Sequence, residues 1–356
     1  MPGRIALSYE REPRYFGAAA LEGPFHQTLV ARAAGMGEIV GCASRAVRTL
    51  WVNGAPRPVG YMSQLRFHPR VRQGMSVARC LARSFKLYRS LHEDGRAPFY
   101  LLSIVADNRP AQRLLASGLP DFPRLHPYAR LFTHAIPIGR PRRPLPLPRG
   151  LRLARGSAAL LPAILDCLAR NGARRQLAPV WTAESLCQPE STPGLAPEDF
   201  FVALSEEGKV VGCLAGWDQR AIKQTVVRGY SGALARWRRL LNLMAPLGGW
   251  PELPEPGTAL RSRYASHRAI DGDDGGNADG AAVFAALLRA LYNQGTERGD
   301  RYLVLGLGEG DPLGVALRPY RSLPYASQLY LAAWEDGEAA VAALDGRLPG
   351  PEVAVL

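Results

Sequence analysis

A proline-rich segment near the middle of the chain constrains its fold most strongly. Residues 139 to 150 read GRPRRPLPLPRG and contain four prolines. Proline fixes φ and removes a backbone donor, which excludes both a helix and a central strand. We interpret the segment as a stiff linker between domains at 1–138 and 151–356, with a ligand for a proline-recognition module as the alternative. The length of 356 residues is about twice that of a usual domain.

Sequence similarity between the two sides of the linker indicates an internal repeat. Each side has a predicted hairpin, at 28–42 and at 200–213, whose glycine turn leads into a β-rich strand. A continuous apolar run typical of a buried strand and then a further strand follow on each side. The matched stretches are 37–42 with 208–213, 100–105 with 302–307, and 129–133 with 327–331. Three matches in the same order favour a duplicated α+β domain.

The two copies are predicted to differ at their starts and by one insertion. The second copy begins with a strand at 151–154 and a helix that Ser157 caps. The first copy opens almost directly at Ile5 and would lack that first strand and helix. An insertion at about 217–257 contains a basic amphipathic helix around 234–243.

The positive charge is concentrated in the first half. The chain carries a formal net charge of +13, which divides into +15 for residues 1–150 and −2 for residues 151–356. This asymmetry predicts that the first half binds an anion. Nucleic acid is a weaker alternative, because the basic residues are spread through the half without interleaved aromatic side chains.

Several classes of protein are excluded. The apolar runs are shorter than the ~20 residues that a bilayer span needs, and the N-terminus lacks the apolar segment of a signal peptide. The five cysteines are scattered, without the spacing of a disulfide framework or a zinc site. We expect a cytoplasmic protein without a metal or a membrane partner, and the preference for Arg over Lys is typical of a G+C-rich bacterial genome.

A helix predicted at 75–92 carries the strongest chemical signal. Its apolar residues recur at helical spacing and its arginines lie on the other sides. Arg70, Arg72 and Gly74 come directly before it, so free N–H groups, the positive helix end and two guanidinium groups converge. This arrangement predicts a phosphate site; a simple glycine turn with solvated arginines is the alternative.

The order of elements around this helix resembles a known family. A strand at 58–67, the loop 68–76, the helix, a buried strand at 100–106 and a short helix opened by residues 107–111 follow one another. This layout resembles the GNAT superfamily of acyl-CoA-dependent N-acetyltransferases over about residues 26–138. The segment from His68 to Ser76 resembles the family's pyrophosphate-binding loop, and the pattern Asn108-x-x-Ala111-x-x-Leu114 resembles its following helix.

The resemblance implies a fold and a reaction. The fold would be α+β in α/β/α layers, with two domains that each have a mixed, mostly antiparallel central sheet and helices on both faces. The reaction would transfer acetyl from acetyl-CoA, or another acyl group from its CoA thioester, to a primary amine by direct attack in a ternary complex. The acceptor would be a small molecule or a peptide. A CoA- or nucleotide-sensing module without turnover, and a basic nucleic-acid-binding protein, are the alternatives.

The resemblance also implies site residues. Those assigned to cofactor binding are Leu65, Arg66, Phe67, Arg70, Arg72, Gln73, Gly74, Met75, Ser76 and Asn108. The loop is one residue shorter than the family's, Leu115 stands where many members have the tyrosine that protonates the thiolate, and the strand 58–67 contains no acidic residue.

The catalytic acid and base must therefore come from other positions. His68, acting through water, is the candidate base, and Tyr128 is the candidate acid. Tyr61 and Ser63 are predicted as polar relays on the substrate side. From the second half, we expect acceptor contacts from polar residues that follow a strand; a hydrogen-bonded corner is the alternative for this group. Its members are Trp217, Asp218, Gln219, Lys223 and Gln224.

The corresponding loop of the second copy has the opposite charge. Residues 271–280 contain four aspartates where the first copy has arginines. Each like-charge approach to a pyrophosphate would cost about 1 kcal/mol at 4 Å in bulk water and more near protein. We therefore expect the second copy not to bind CoA, and to shape the acceptor pocket or a homodimer contact instead.

Overall fold

The computed structural model describes residues 5–33, 35, 37–71, 75–187, 189, 191–248, 251–272 and 278–356. Thirteen strands and seven α-helices lie in this part of the chain. The strands are β1 Ile5–Glu10, β2 Phe25–Arg32, β3 Ile39–Val52, β4 Ala55–Phe67, β5 Tyr100–Val105, β6 Arg124–Pro137, β7 Leu151–Arg155, β8 Phe200–Ser205, β9 Val210–Trp217, β10 Gln224–Tyr230, β11 Ser262–Ile270, β12 Tyr302–Gly308 and β13 Leu323–Ala333. The helices are α1 Met75–Ser90, α2 Arg109–Leu115, α3 Leu161–Gly172, α4 Ala183–Cys187, α5 Gly232–Gly248, α6 Ala278–Glu297 and α7 Glu338–Ala342.

Eleven of these strands form one continuous sheet. Its order is β2-β3-β4-β5-β13-β6-β12-β11-β9-β8-β7. The pairs β4–β5 and β11–β12 are parallel and the other neighbours are antiparallel. The mixed, mostly antiparallel α+β fold predicted from the sequence is therefore confirmed.

The two halves exchange their last strands at the centre of this sheet. Strand β13 of the second half lies between β5 and β6 of the first, and β6 pairs in turn with β12. The two stretches matched as repeats, 129–133 and 327–331, therefore lie side by side, with Ala129 opposite Leu329. Each half depends on the other for a neighbouring strand.

Helices cover the sheet with the faces that their periodicity predicts. In α1, the residues Val77, Leu81, Phe85 and Tyr88 are buried in one apolar cluster with Leu102 and Ile104 of β5. In the second half, α6 buries Phe284, Leu287 and Leu291 against the other end of the sheet. Burial of these apolar faces holds both helices on the sheet. Each Å² of apolar surface removed from water stabilises the folded state by about 25 cal/mol.

The predicted hairpins 28–42 and 200–213 are confirmed as β2–β3 and β8–β9. Strand β1, expected to open the first copy, instead pairs with β10 of the insertion in a separate two-stranded sheet, so β2 forms the edge of the large sheet.

The segment 139–150 contains no regular element, and Gly139 and Arg142 donate backbone N–H bonds to Tyr292 and Asn293 of α6. No helix among the described residues is long and apolar enough to span a membrane.

Candidate active site

The site begins where the parallel strands β4 and β5 separate. They pair only at Gly60 with Tyr100 and Tyr61 with Leu101. A Cβ at position 60 would lie 2.0 Å from Cδ1 of the Tyr100 ring, so only glycine permits this close approach. Beyond these two pairs the strands diverge, and no strand among the described residues pairs with the facing edges of β4 and β5.

A cavity of about 400 Å³ occupies the gap and reaches both faces of the sheet. On the helix face it is lined by Met62, Leu81, Ser84, Phe85, Leu102, Ile104, Asn108, Ala111 and Leu115. On the opposite face it is lined by Tyr9, Tyr61, Ser63, Lys223, Tyr264, Tyr325, Ser327, Val353 and Leu356. A substrate on one face can therefore meet a substrate on the other between the two strands.

Strand β4 is bent at the gap by an irregularity opposite β3. The register shifts between the pairs Cys42–Arg66 and Ser44–Ser63, and Gln64 has a positive φ of 55°. Such a bulge leaves one residue without a cross-strand partner and changes the direction of the strand. Leu65, within the bulge, and Arg66, directly after it, both line the cavity, and both are predicted to contact the cofactor.

The side chain of Arg66, which the resemblance assigns to cofactor binding, contacts strand β1. Its guanidinium group lies 3.3 Å from the backbone oxygen of Tyr9, to which it donates, and so links β4 to β1. Arg66 also lines the cavity at the gap.

The start of α1 is only partly described. Arg72, Gln73 and Gly74 lie outside the described residues, as does the side chain of Met75. Arg70 is half exposed and forms an ion pair with Glu38 of the β2–β3 hairpin. Ser76 is exposed at the first turn of the helix.

Helix α2 begins beside the cavity, which Asn108 and Ala111 line. Asn108 is its N-cap, with Oδ1 accepting the N–H of Ala111 at 3.4 Å. Leu115 is buried and lines the cavity, so an apolar side chain occupies that position.

A buried carboxylate, Glu22, lies behind the polar side of β4. Ser63 donates to it, with 3.0 Å from its Oγ to each carboxylate oxygen. Arg11 forms an ion pair with Glu22, and His26 Nε2 lies 3.2 Å from Glu22 Oε2. Burial alone would raise the pKa of Glu22, but the hydrogen bond and charge of His26 together with the charge and hydrogen bond of Arg11 lower it below its ordinary value.

Lys223 and several tyrosines form the other side of the cavity. Burial lowers the pKa of Lys223 to about 8, with the charge of Arg11 acting in the same direction. Its Nζ donates to the backbone oxygen of Leu356 at 2.8 Å and lies 5.6 Å from the centre of the Tyr264 ring. Burial raises the pKa of Tyr61 well above its ordinary value, and the charge of Glu22 adds to this.

Five of the predicted site residues lie away from the gap. Trp217 is fully buried and donates from Nε1 to the oxygen of Pro193, while Asp218 pairs with Arg220. Gln219 is buried and donates to the oxygen of Ala354. These contacts make 217–219 a hydrogen-bonded corner, which was the alternative interpretation.

The fourth and fifth are the candidate acid, Tyr128, and the candidate base, His68. Tyr128 packs in a different apolar cluster beside the sheet. Its hydroxyl is buried without a hydrogen-bond partner among the described residues, and burial raises its pKa. His68 is exposed in the loop, with Nδ1 3.4 Å from the Arg70 nitrogen, and is not among the residues that line the cavity. Neither residue is positioned at the gap between β4 and β5.

The acidic loop of the second half lies mostly outside the described residues, which omit 273–277. Asp271, at its start, accepts two hydrogen bonds from Arg170 at 3.0 Å and one from Asn171 at 2.8 Å. Its charge is therefore compensated within the fold. Residues 306–310, GLGEG, form a strand end and a turn, since β12 ends at Gly308.

The fold has relatives among solved structures, although no family model and no curated protein matches the sequence. A GCN5-related N-acetyltransferase from Sphaerobacter thermophilus aligns over 99% of both chains, with a TM-score of 0.55 and 15% identity. N-myristoyltransferase of Saccharomyces cerevisiae with bound myristoyl-CoA aligns over 92% of this chain and 75% of its own, with a TM-score of 0.57 and 12% identity. A GCN5-related glucosamine N-acetyltransferase region of a fungal multi-domain β-N-acetylglucosaminidase aligns over 93% of this chain and 38% of its own, with a TM-score of 0.56 and 12% identity. This chain therefore has the fold of the GCN5-related N-acyltransferases along essentially its whole length.

Proposed function

We propose that the protein is an acyl-CoA-dependent N-acyltransferase of the GNAT superfamily. The observation that carries the proposal is the cavity through the sheet at the separation of β4 and β5, open to helix α1 on one face and to Lys223 on the other. One protein of this fold, the N-myristoyltransferase of Saccharomyces cerevisiae, has a structure with bound myristoyl-CoA. The unpaired edge of β4 offers backbone groups with which an extended pantetheine arm can pair.

The donor would occupy the helix face. Its arm would follow residues 65–67, its pyrophosphate would lie at the start of α1 beside Arg70, and Asn108 would border the thioester. Arg70 would then leave its ion pair with Glu38 and bind a phosphate of the donor instead. Acetyl-CoA is the proposed donor, and the cytoplasm is the proposed location of the reaction. Because the lining on the helix face is apolar, CoA thioesters of longer acyl groups are also to be tested as donors.

The acceptor amine would enter from the opposite face. Its nitrogen attacks the thioester carbonyl carbon, a C–N bond forms as the C–S bond breaks, and the amine loses one proton while the thiolate gains one. We propose Glu22, acting through the Ser63 hydroxyl, as the group that accepts the proton from the amine. The cationic side chain of Lys223 would favour the neutral, reactive form of an incoming amine by raising the free energy of the ammonium form.

We infer a tandem organisation from the arrangement of strands. The order β2-β3-β4-β5 on one side corresponds to β8-β9-β11-β12 on the other, and each half places its last strand beside the other half's buried strand. The second half would serve the first by supplying β13 and Lys223 to the acceptor side. Its loop at 271–280 would not hold a CoA pyrophosphate.

Calorimetry with acetyl-CoA and thiol release with a panel of amines test the proposal. Ala111→Trp, which fills the helix side of the cavity, should abolish CoA binding, whereas Ala116→Trp, at the exposed residue that follows the same short helix, should not. Absence of CoA binding to the unmodified protein would exclude the transferase. Binding without thiol release for any amine would instead support a CoA-sensing module.

A further inference from the structure

Helix α5 of the insertion, Gly232–Gly248, exposes a set of large apolar side chains. Trp237, Leu240, Leu241, Leu243 and Met244 are between 44% and 74% exposed. Monomeric proteins rarely leave such a contiguous apolar surface in water without a use for it. The proposed acyl transfer involves none of these residues.

The exposed residues share one face of the helix. Trp237, Leu240, Leu241 and Met244 recur at i, i+3, i+4 and i+7, which places them along one stripe. The opposite face holds the helix to the protein. Arg238 stacks 5.9 Å from the centre of the Tyr230 ring, and Asn242 exchanges two hydrogen bonds with the backbone of Leu253.

The rim of this stripe is positively charged. Arg236 and Arg239 are exposed beside Leu243 and have no ion-pair partner among the described residues. The helix contains three arginines and no acidic residue. The chain as a whole carries a net charge of +13, so its long-range field also attracts an anionic surface.

We propose that α5 is an interfacial anchor that lies on an anionic lipid bilayer, with Trp237, Leu240, Leu241 and Met244 inserted among the acyl chains and Arg236 and Arg239 on the lipid phosphates. An apolar face with Trp and Leu and a basic polar rim is the pattern of helices that lie in the membrane interface. Each arginine near an anionic leaflet adds attraction that salt weakens.

Two other occupants fit the charges less well. A second copy of the chain would bring arginine-rimmed helices together without an acidic residue in either helix to pair with them. A nucleic acid would satisfy the arginines but offers no apolar surface for the four-residue stripe. A bilayer of anionic lipid matches both the stripe and its rim.

Flotation with vesicles tests the proposal on the full-length protein. We expect binding to vesicles of phosphatidylglycerol and phosphatidylcholine in equal parts at low salt, and little binding to phosphatidylcholine alone. Leu240→Gln/Met244→Gln and Arg236→Gln/Arg239→Gln should each weaken binding at least tenfold. The matched surface variants Leu153→Gln/Val315→Gln and Arg57→Gln/Arg152→Gln should stay within twofold of the unmodified protein.

The position of the helix supplies a second readout. A blue shift of tryptophan emission on adding the anionic vesicles should disappear in Trp237→Phe, while acyl transfer to a soluble amine without vesicles should be unchanged in every α5 variant. Failure to bind anionic vesicles, or equal binding to both vesicle types, would overturn the proposal. A dimer in sedimentation that Leu240→Gln/Met244→Gln dissociates would assign the face to a second copy instead.

Discussion

The hydroxyl of Ser63 lies 3.0 Å from both carboxylate oxygens of Glu22. Ser63 lines the cavity on strand β4, whereas Glu22 is buried behind it and is held ionised by Arg11 and His26. The serine therefore connects the cavity to a buried carboxylate. In the proposed reaction, a proton that leaves the acceptor amine would pass along these hydrogen bonds to Glu22.

Glu22→Gln should reduce kcat by about 10²-fold, because the amide keeps the shape of the carboxylate but does not accept a proton at neutral pH. CoA affinity, measured by calorimetry, should stay within about twofold, since Glu22 lies away from the helix face. Thiol release under saturating acetyl-CoA and amine gives the rate. The control Glu309→Gln, an exposed glutamate paired with Arg130, should leave kcat unchanged.

The pH profile separates a catalytic role of Glu22 from a structural one. Because its pKa is lowered in the fold, activity should fall as pH decreases through that lowered value, and the acid limb should be lost in Glu22→Gln. A variant that keeps the wild-type kcat and acid limb would contradict the proton path. Circular dichroism at each pH checks that the variant remains folded.

Local patterns in the sequence predict the elements on the helix side of the cavity. The face of α1, the hairpin β2–β3 and the start of the short helix α2 all depend on residues a few positions apart, and each occurs as predicted. Glu22 lies 41 residues from Ser63 and outside strand β4, so only the fold brings the two together. Tyr264 and Tyr325 reach the cavity from the second half for the same reason.

Strand pairing in the central sheet likewise could not be predicted from local sequence patterns. The repeat 129–133 with 327–331 was detectable from side-chain types, but strand exchange between the halves depends on pairing that no local pattern specifies. Gln219 was predicted as an acceptor contact because it is polar and follows a strand. Its side-chain amide instead donates a hydrogen bond to the backbone oxygen of Ala354, 135 positions away.

Glu38→Gln tests whether Arg70 binds the cofactor. The exposed pair between Arg70 and Glu38 is worth at most about 1 kcal/mol. If Arg70 must leave Glu38 to hold a phosphate, the variant should bind CoA up to about fivefold more tightly at low salt. Calorimetry measures the affinity, and Arg70→Gln should weaken it; no change in either variant would exclude Arg70 from the phosphate site.

Gly60→Ala should destabilise the fold by at least about 2 kcal/mol, because the added methyl overlaps the ring of Tyr100, which is buried. The shift would also move β4 away from β5 and weaken CoA binding. Urea denaturation followed by fluorescence measures the loss. Gly229→Ala in β10, where an added Cβ meets nothing within 4 Å, is the matched control and should cost less than about 1 kcal/mol; equal losses would refute the steric account.

Glu352 should make the fold less stable as pH rises. Burial raises its pKa to about 7, against the opposing charges of Arg268 and Arg48, and its Oε2 accepts the backbone N–H of His267 at 3.1 Å. The folded state therefore keeps a proton between about pH 4.5 and 7 that the unfolded state releases. The contribution of Glu352 to the free energy of unfolding is thus present at low pH and is lost as pH rises through 7.

Glu352→Gln retains the hydrogen-bond acceptor and removes the titration. Relative to the unmodified protein, its free energy of unfolding should rise by about 2 kcal/mol between pH 5 and pH 8. Denaturation curves at both pH values measure the change, with the exposed Glu206→Gln as the control; parallel pH dependence in all three proteins would show that Glu352 is ionised throughout.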